Sequence, residues 1–195
     1  MGWGLKKTIS GKLQKKDRNM LDRDVELINI ARIDLLKGRV NADLDSLSKI
    51  LIDNYYNKFE CEIESTYAED SICPPNEIVD NIIEQMKMDF YAATKEKIKP
   101  LNYWGHIHEK NMSTNTHNHT NTYVSAVVYV EVPQGSGSIV FKPRLNQYDN
   151  GAYLSKFAPE KGVYYIFPGY LDHFVTRNKS DEFRISLSLN FEKDE

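Results

Sequence analysis

The sequence predicts an α+β chain in which N-terminal helices cover a β sandwich or barrel. Three observations carry this. Up to about residue 99, apolar residues recur at helical spacing. Beyond Pro100, β-favouring segments recur at short intervals between clusters of turn formers. Two histidines one residue apart, His117 and His119, are followed by a third, His173, beside the Pro168–Gly169 turn. A sheet folded on itself would bring such histidines together.

Residues 1–20 read as a basic arm, with Lys6, Lys7, Lys12, Lys15, Lys16 and Arg18 facing only Asp17. Such an arm is ordinarily a solvated terminus, and docking to an acidic surface is its alternative use. Residues 21–37 carry Leu21, Val25, Ile28, Arg32, Leu35 and Leu36 at helical spacing, with Gly38 as the helix stop. Asn41 or Asp43 would cap a second helix whose face is Leu44, Leu47, Ile50, Leu51 and Tyr55. Residues 60–75 read as a loop ending in two prolines. A third helix follows, with Ile78, Ile82, Met86, Phe90 and Ala93 on its stripe and Pro75 suited to its first turn. These stripes are core-packing faces. Residues 21–99 therefore form a helical support region, and 100–195 the β core, in one domain from about residue 21. The expected strands are 103–108, 123–132, 138–141, 163–167, 172–176 and 183–191. Turns at 133–137, 143–151, 159–162 and 177–181 separate them.

Composition narrows the function classes. Hydrophobic residues are 41% and charged residues 27%, as in ordinary globular proteins. A net charge of −3 does not suggest nucleic acid. No run reaches the ~18–20 apolar residues of a membrane span, and the N-terminus has no apolar signal-like core. Two cysteines, Cys61 and Cys73, make neither a disulfide scaffold nor a zinc site by themselves. A reducing, cytoplasmic setting is expected.

A strand has a side-chain period of two, so His117 and His119 would share a face. With His173 from a neighbouring strand they would form a facial metal site. Imidazole suits zinc, copper, iron and nickel, which leaves the metal open. His106 and His108 form a second pair of the same spacing, as ligands, supporting groups or surface residues. The first pair is preferred because it leads into the strand at 123–132. In the last strand, Arg184, Ser186, Ser188 and Asn190 alternate with Ile185, Leu187, Leu189 and Phe191. The polar face looks either to solvent or into a lumen holding an anionic ligand. Arginine's planar fork matches a carboxylate, and Ser186 could complete the grip.

Taken in order, His117-Asn118-His119, residues 125–130, 137–141, 162–168, Leu171-Asp172-His173 and Arg184-Ile185-Ser186 resemble the iron(II)- and 2-oxoglutarate-dependent dioxygenases. The pattern is similar to that of small oxygenases of bacteria and their phages, distantly related to prolyl 4-hydroxylases. The resemblance covers about half of the chain. It implies a double-stranded β-helix, a jelly-roll barrel, with the helices packed outside. It implies Fe(II) and 2-oxoglutarate as cofactor and cosubstrate, with His117 and His173 as the two histidine ligands. His119 stands where the family usually has a carboxylate, so the metal set is His117, His119 and His173. A third neutral ligand leaves one more positive charge on the complex. Arg184 matches the residue that pairs with the distal carboxylate of 2-oxoglutarate, and Ser186 its hydrogen-bonding neighbour. Asp172 would face away from His173. The implied activity is hydroxylation of a protein side chain or small metabolite, with dioxygen and an unspecified primary substrate as partners. Neither membrane nor nucleic acid is expected, and a homodimer is one assembly the fold allows. The loop 143–151, with Arg144, Gln147 and Tyr148, reads as a lid or a plain surface loop. Two alternatives stand beside this. One is a cupin-like three-histidine metalloprotein without 2-oxoglutarate. The other is a silent jelly-roll binding or structural module.

Overall fold

The polar-apolar alternation of the last strand and the near-continuous apolar run at 124–130 decide the layering. The computed structural model describes residues 33–59, 73–143 and 154–195. The elements, in chain order, are β1 (Leu36–Arg39), α1 (Leu44–Phe59), α2 (Glu77–Thr94), β2 (Ile98–His108), β3 (Thr114–His117), β4 (Val124–Glu131), β5 (Ile139–Phe141), β6 (Ser155–Phe157), β7 (Val163–Pro168), β8 (His173–Val175) and β9 (Arg184–Lys193). They form a five-stranded sheet in the order β1-β7-β4-β9-β2 and a four-stranded sheet in the order β3-β8-β5-β6. All the pairings are antiparallel. This is the double-stranded β-helix, or jelly roll, expected from the sequence.

Alternation sends the two faces of the large sheet to different places. Val124, Ala126 and Val128 of β4, and Ile185, Leu187, Leu189 and Phe191 of β9, join Leu47 and Leu51 of α1 and Val79, Ile82, Met86 and Phe90 of α2 in one core. Each buried Val, Leu, Ile, Met or Phe among them contributes about 1.5–3 kcal/mol. The opposite face is also buried: Ser125, Val127, Tyr129, Arg184, Ser186 and Asn190 are all enclosed. The polar face of the last strand thus looks inward, and the solvent-facing alternative is wrong. A ladder of rings fills part of this interior, from Phe141–Phe167 at 4.9 Å through Phe141–Phe157 at 5.9 Å to Phe157–Tyr165 at 5.1 Å.

Both described helices carry side-chain caps. Asp43 Oδ1 accepts from Ser46 N at 3.1 Å, and Asn76 Oδ1 accepts from Val79 N at 3.0 Å. Asn76 takes the cap of α2, so Pro75 precedes the helix and is not in its first turn. No helix among the described residues is long and apolar enough to cross a membrane.

The expected helix at 21–37 is corrected at its end. Residues up to 32 lie outside the described residues, and Leu36–Arg39 is a strand paired with β7. Gly38 is no helix stop: a Cβ there would lie 2.3 Å from Tyr164 Cζ, so glycine lets β1 cross that ring. The edge of β7 offers unpaired backbone groups that a helix end would leave unsatisfied. β2 starts earlier than expected, at Ile98, and absorbs Pro100 through a register shift between Pro100 and Asn102. It is an edge strand, where a residue without an N–H is tolerated. The boundary read at residue 100 therefore falls inside a strand. β3 and β6 were not expected, because their short polar sequences carry no β signal. The basic arm, most of the loop at 60–75 and residues 144–151 of the loop read as a lid lie outside the described residues.

Candidate metal centre

Pairing of β3 with β8 sets His117 directly opposite His173. Their ring centroids are 4.3 Å apart. His119 arrives differently. β3 ends at His117, and His119 sits in the connection to β4, not on a common strand face with His117 as the spacing suggests. Its N–H donates to Gly169 O at 2.8 Å, and its carbonyl accepts from Thr122 N at 3.3 Å. The Pro168–Gly169 turn therefore holds this loop. A Cβ on Gly169 would lie 2.1 Å from Thr122 Oγ1 and 2.9 Å from His119 O, so only glycine permits the approach. His119 is then 5.2 Å from His117 and 5.3 Å from His173 between ring centroids. One ligand nitrogen from each of the three lies within 4.8 Å of the others.

Backbone carbonyls set two of the tautomers. His117 Nδ1–H donates to Asn115 O at 2.8 Å, and His173 Nδ1–H donates to Leu171 O at 2.9 Å. Each Nε2 keeps its lone pair for a metal, the arrangement typical of ligating histidines. Burial holds His119 neutral, with a pKa of about 4, aided by the neighbouring His117. Burial likewise lowers His173 to about 3, against the opposing pull of the Leu171 carbonyl. Trp104 packs beside His119 at 5.8 Å. Asp172 is turned away, accepting from Asn118 Nδ2 at 2.7 Å, and among the described residues the cluster contains no carboxylate. Three imidazoles suit a first-row divalent ion such as iron(II).

The other expected residues line the same interior from β9. Arg184 is 1% exposed and Ser186 2%. Cross-strand register places His108 beside Arg184, and sets Ser186 between His106 and Tyr129. The two ends of this polar face differ. Asn190 is satisfied by the protein, accepting from Ser125 Oγ at 2.8 Å and donating to Asn102 Oδ1 at 2.9 Å. At the other end Arg184 Nε and Tyr129 Oη are buried and make no well-formed hydrogen bond among the described residues, their mutual interaction being a weak one. The guanidinium lies over the Tyr129 ring at 5.3 Å, and its Nη1 donates to His108 Nδ1 at 3.0 Å. Burial pushes the Tyr129 hydroxyl up to about 12, so it is a donor at neutral pH. A buried cation with orphaned donors beside it matches an anionic, acceptor-rich ligand such as the distal carboxylate of 2-oxoglutarate.

His106 and His108 do not join the metal cluster. They stack on each other at 4.5 Å and 17°, and burial, with the Arg184 charge contributing, lowers them to about 4 and about 3. Tyr129 and Trp104 escaped sequence reasoning. Their signal is parity: Tyr129 shares the phase of Ser125, and Trp104 that of His106 and His108.

Residues 102–190 match the family model described as Putative 2OG-Fe(II) oxygenase. The search of curated proteins found no match. Among solved structures, the chain is similar to a Pseudomonas putida prolyl-4-hydroxylase, at 14% identity and a TM-score of 0.54, covering 83% of this chain and 88% of that one. It is similar to SnoK, the alpha ketoglutarate dependent carbocyclase of nogalamycin biosynthesis, at 11% identity and a TM-score of 0.62, covering 82% and 79%. A 2OG-Fe(II) oxygenase family oxidoreductase from Burkholderia pseudomallei matches at 17% identity and a TM-score of 0.52, covering 62% of this chain. The chain spans 60% of the length of that protein. At such identities these likenesses speak for the fold. The family match begins in β2 and ends in β9, and over this region the chain is matched to the 2OG-Fe(II) oxygenases, whose cofactors are iron(II) and 2-oxoglutarate.

Proposed function

We propose that this chain is an iron(II)- and 2-oxoglutarate-dependent hydroxylase acting on a protein side chain or a small metabolite. The observation that carries the reading is a buried arginine with no carboxylate partner among the described residues, in the same barrel as a cluster of three imidazoles. His117, His119 and His173 would hold the iron, and Arg184 with Ser186 the far carboxylate of 2-oxoglutarate. Bound together, these groups supply oxidation by dioxygen, with 2-oxoglutarate leaving as succinate and carbon dioxide while a substrate C–H becomes C–OH. The protein's part is orientation and dryness. The Asn115 and Leu171 carbonyls hold the His117 and His173 rings. Phe167, 4.8 Å from the His173 ring, walls off water on one side. Arg184 would hold one end of the cosubstrate and so orient it within the barrel. Both substrate classes stay in the proposal, because the similar folds include a prolyl-4-hydroxylase and a carbocyclase.

The test is anaerobic titration of the iron(II)-loaded protein with 2-oxoglutarate, read by the visible charge-transfer band of the chelate. A saturating band is expected. His117→Ala and His173→Ala should abolish iron binding. Arg184→Ala should keep iron and weaken 2-oxoglutarate by roughly thirtyfold or more, as loss of a charged hydrogen-bonded partner does. Iron bound without a band would move the reading to a cupin-like three-histidine protein, which three histidines with no carboxylate beside them among the described residues favour. No bound iron would leave the silent module.

A further inference from the structure

His108 is 3% exposed, faces the barrel interior and takes no part in the metal cluster. Its two ring nitrogens are both engaged. Nδ1 is 3.0 Å from Arg184 Nη1, and Nε2 is 2.8 Å from Thr114 Oγ1. Arginine offers donors only, so Nδ1 must present its lone pair. The neutral ring then carries its proton on Nε2 and donates it to the Thr114 hydroxyl. The rest of the residue is equally constrained. Its carbonyl accepts from Asn178 Nδ2 at 2.9 Å, and Asn178 is itself fully buried. The same amide also donates to Glu182 O at 2.9 Å, tying the chain just before β9 to the end of β2. His106 stacks flat on the ring.

A buried arginine is usually met by a carboxylate, because an unpaired buried charge is strongly destabilising. Here the acceptor is a neutral imidazole. It orients the guanidinium without cancelling its charge, and Nε stays buried without a well-formed hydrogen bond among the described residues. A carboxylate in this place would satisfy the arginine internally and repel an incoming anion. We infer that His108 is the positioning residue for Arg184: it accepts Nη1–H through Nδ1, fixes the guanidinium, and reserves the positive charge for the carboxylate of an anionic ligand. The inference rests on the 2-oxoglutarate reading above, and deepens it by naming the residue that prepares the anion-binding group.

The experiment uses the full chain loaded anaerobically with iron(II), titrated with 2-oxoglutarate, for wild type and three variants. In His108→Asn the amide oxygen stands close to the place of Nδ1, so the Kd should stay within about threefold of wild type. His108→Leu removes the acceptor and should raise the Kd about tenfold or more. His108→Asp supplies a charge that pairs with Arg184 and should raise it most, roughly a hundredfold. Iron affinity should be unchanged throughout. Equal Kd values for Asn and Leu, or an Asp variant that binds as tightly as Asn, would overturn the inference. If wild type shows no chelate band, the cosubstrate reading fails first; if wild type binds and the series is flat, only the role of His108 fails. A measurement on wild type guards against variants that do not fold. Long-range proton–nitrogen spectra at neutral pH should show His108 unprotonated at Nδ1 and protonated at Nε2. The opposite tautomer or an imidazolium would overturn the proposal.

Discussion

At the scale of single residues, His119 makes the main departure from the usual chemistry. As an iron ligand, an imidazole where the family generally has a carboxylate would leave the complex one unit more positive. That favours the reduced ion and raises the potential of the couple. His119→Asp should therefore still bind iron(II) and shift the reduction potential downward, measured by mediated redox titration of wild type and variant. An unchanged potential would mean that the residue at 119 does not touch the metal. The three histidines were legible because the residue type and the Pro-Gly turn are both visible in the sequence. His108 was visible only as half of a competing pair. Its role depends on an arginine 76 residues away, and on Asn178 pinning its backbone. No local pattern encodes that meeting.

Among the elements, the long strands could be read and the short ones could not. β4 and β9 bury both faces, so hydrophobic density and strict alternation marked them. β1, β3 and β6 are strands because a neighbour's edge needed partners. Thr114–His117 is polar, yet its pairing with β8 places His117 opposite His173. β1 shows the same principle with a measurable consequence. Gly38 lies over the Tyr164 ring, whose hydroxyl donates to Asp89 Oδ2 at 2.6 Å. The ring is anchored and cannot move aside. Gly38→Val should lower the urea midpoint by an amount equivalent to about 1–3 kcal/mol, the usual range for overpacking. A midpoint equal to wild type would show that β1 does not lie on that ring.

Over the molecule as a whole, the barrel interior holds several neutral histidines. His106 and His119 are lowered to about 4, and His108 and His173 to about 3, in each case chiefly by burial. Unfolded histidine titrates near 6.5. Between these values the unfolded chain takes up protons that the folded chain refuses. Stability of the metal-free protein is therefore complete above about pH 6.5 and declines as pH falls toward about 4. Urea midpoints measured at about pH 7.5, 6 and 5 should fall in that order, in a window above most carboxylate titrations. A midpoint constant over this range would mean that the four rings are solvated in the folded protein. Bound metal steepens the trend, since protons compete for the same nitrogens.

The sequence alone determined the fold class, the two described helices and the long strands, and offered the three imidazoles and the arginine as candidates, because each depends on residue type and periodicity along a local stretch. Only the tertiary structure decided which face of β9 is enclosed, that His119 comes from a loop held by Gly169, and that His108 meets Arg184. Those facts depend on register between strands far apart in the chain. One residue of slip in a register exchanges the two faces of a strand, and composition carries no record of it.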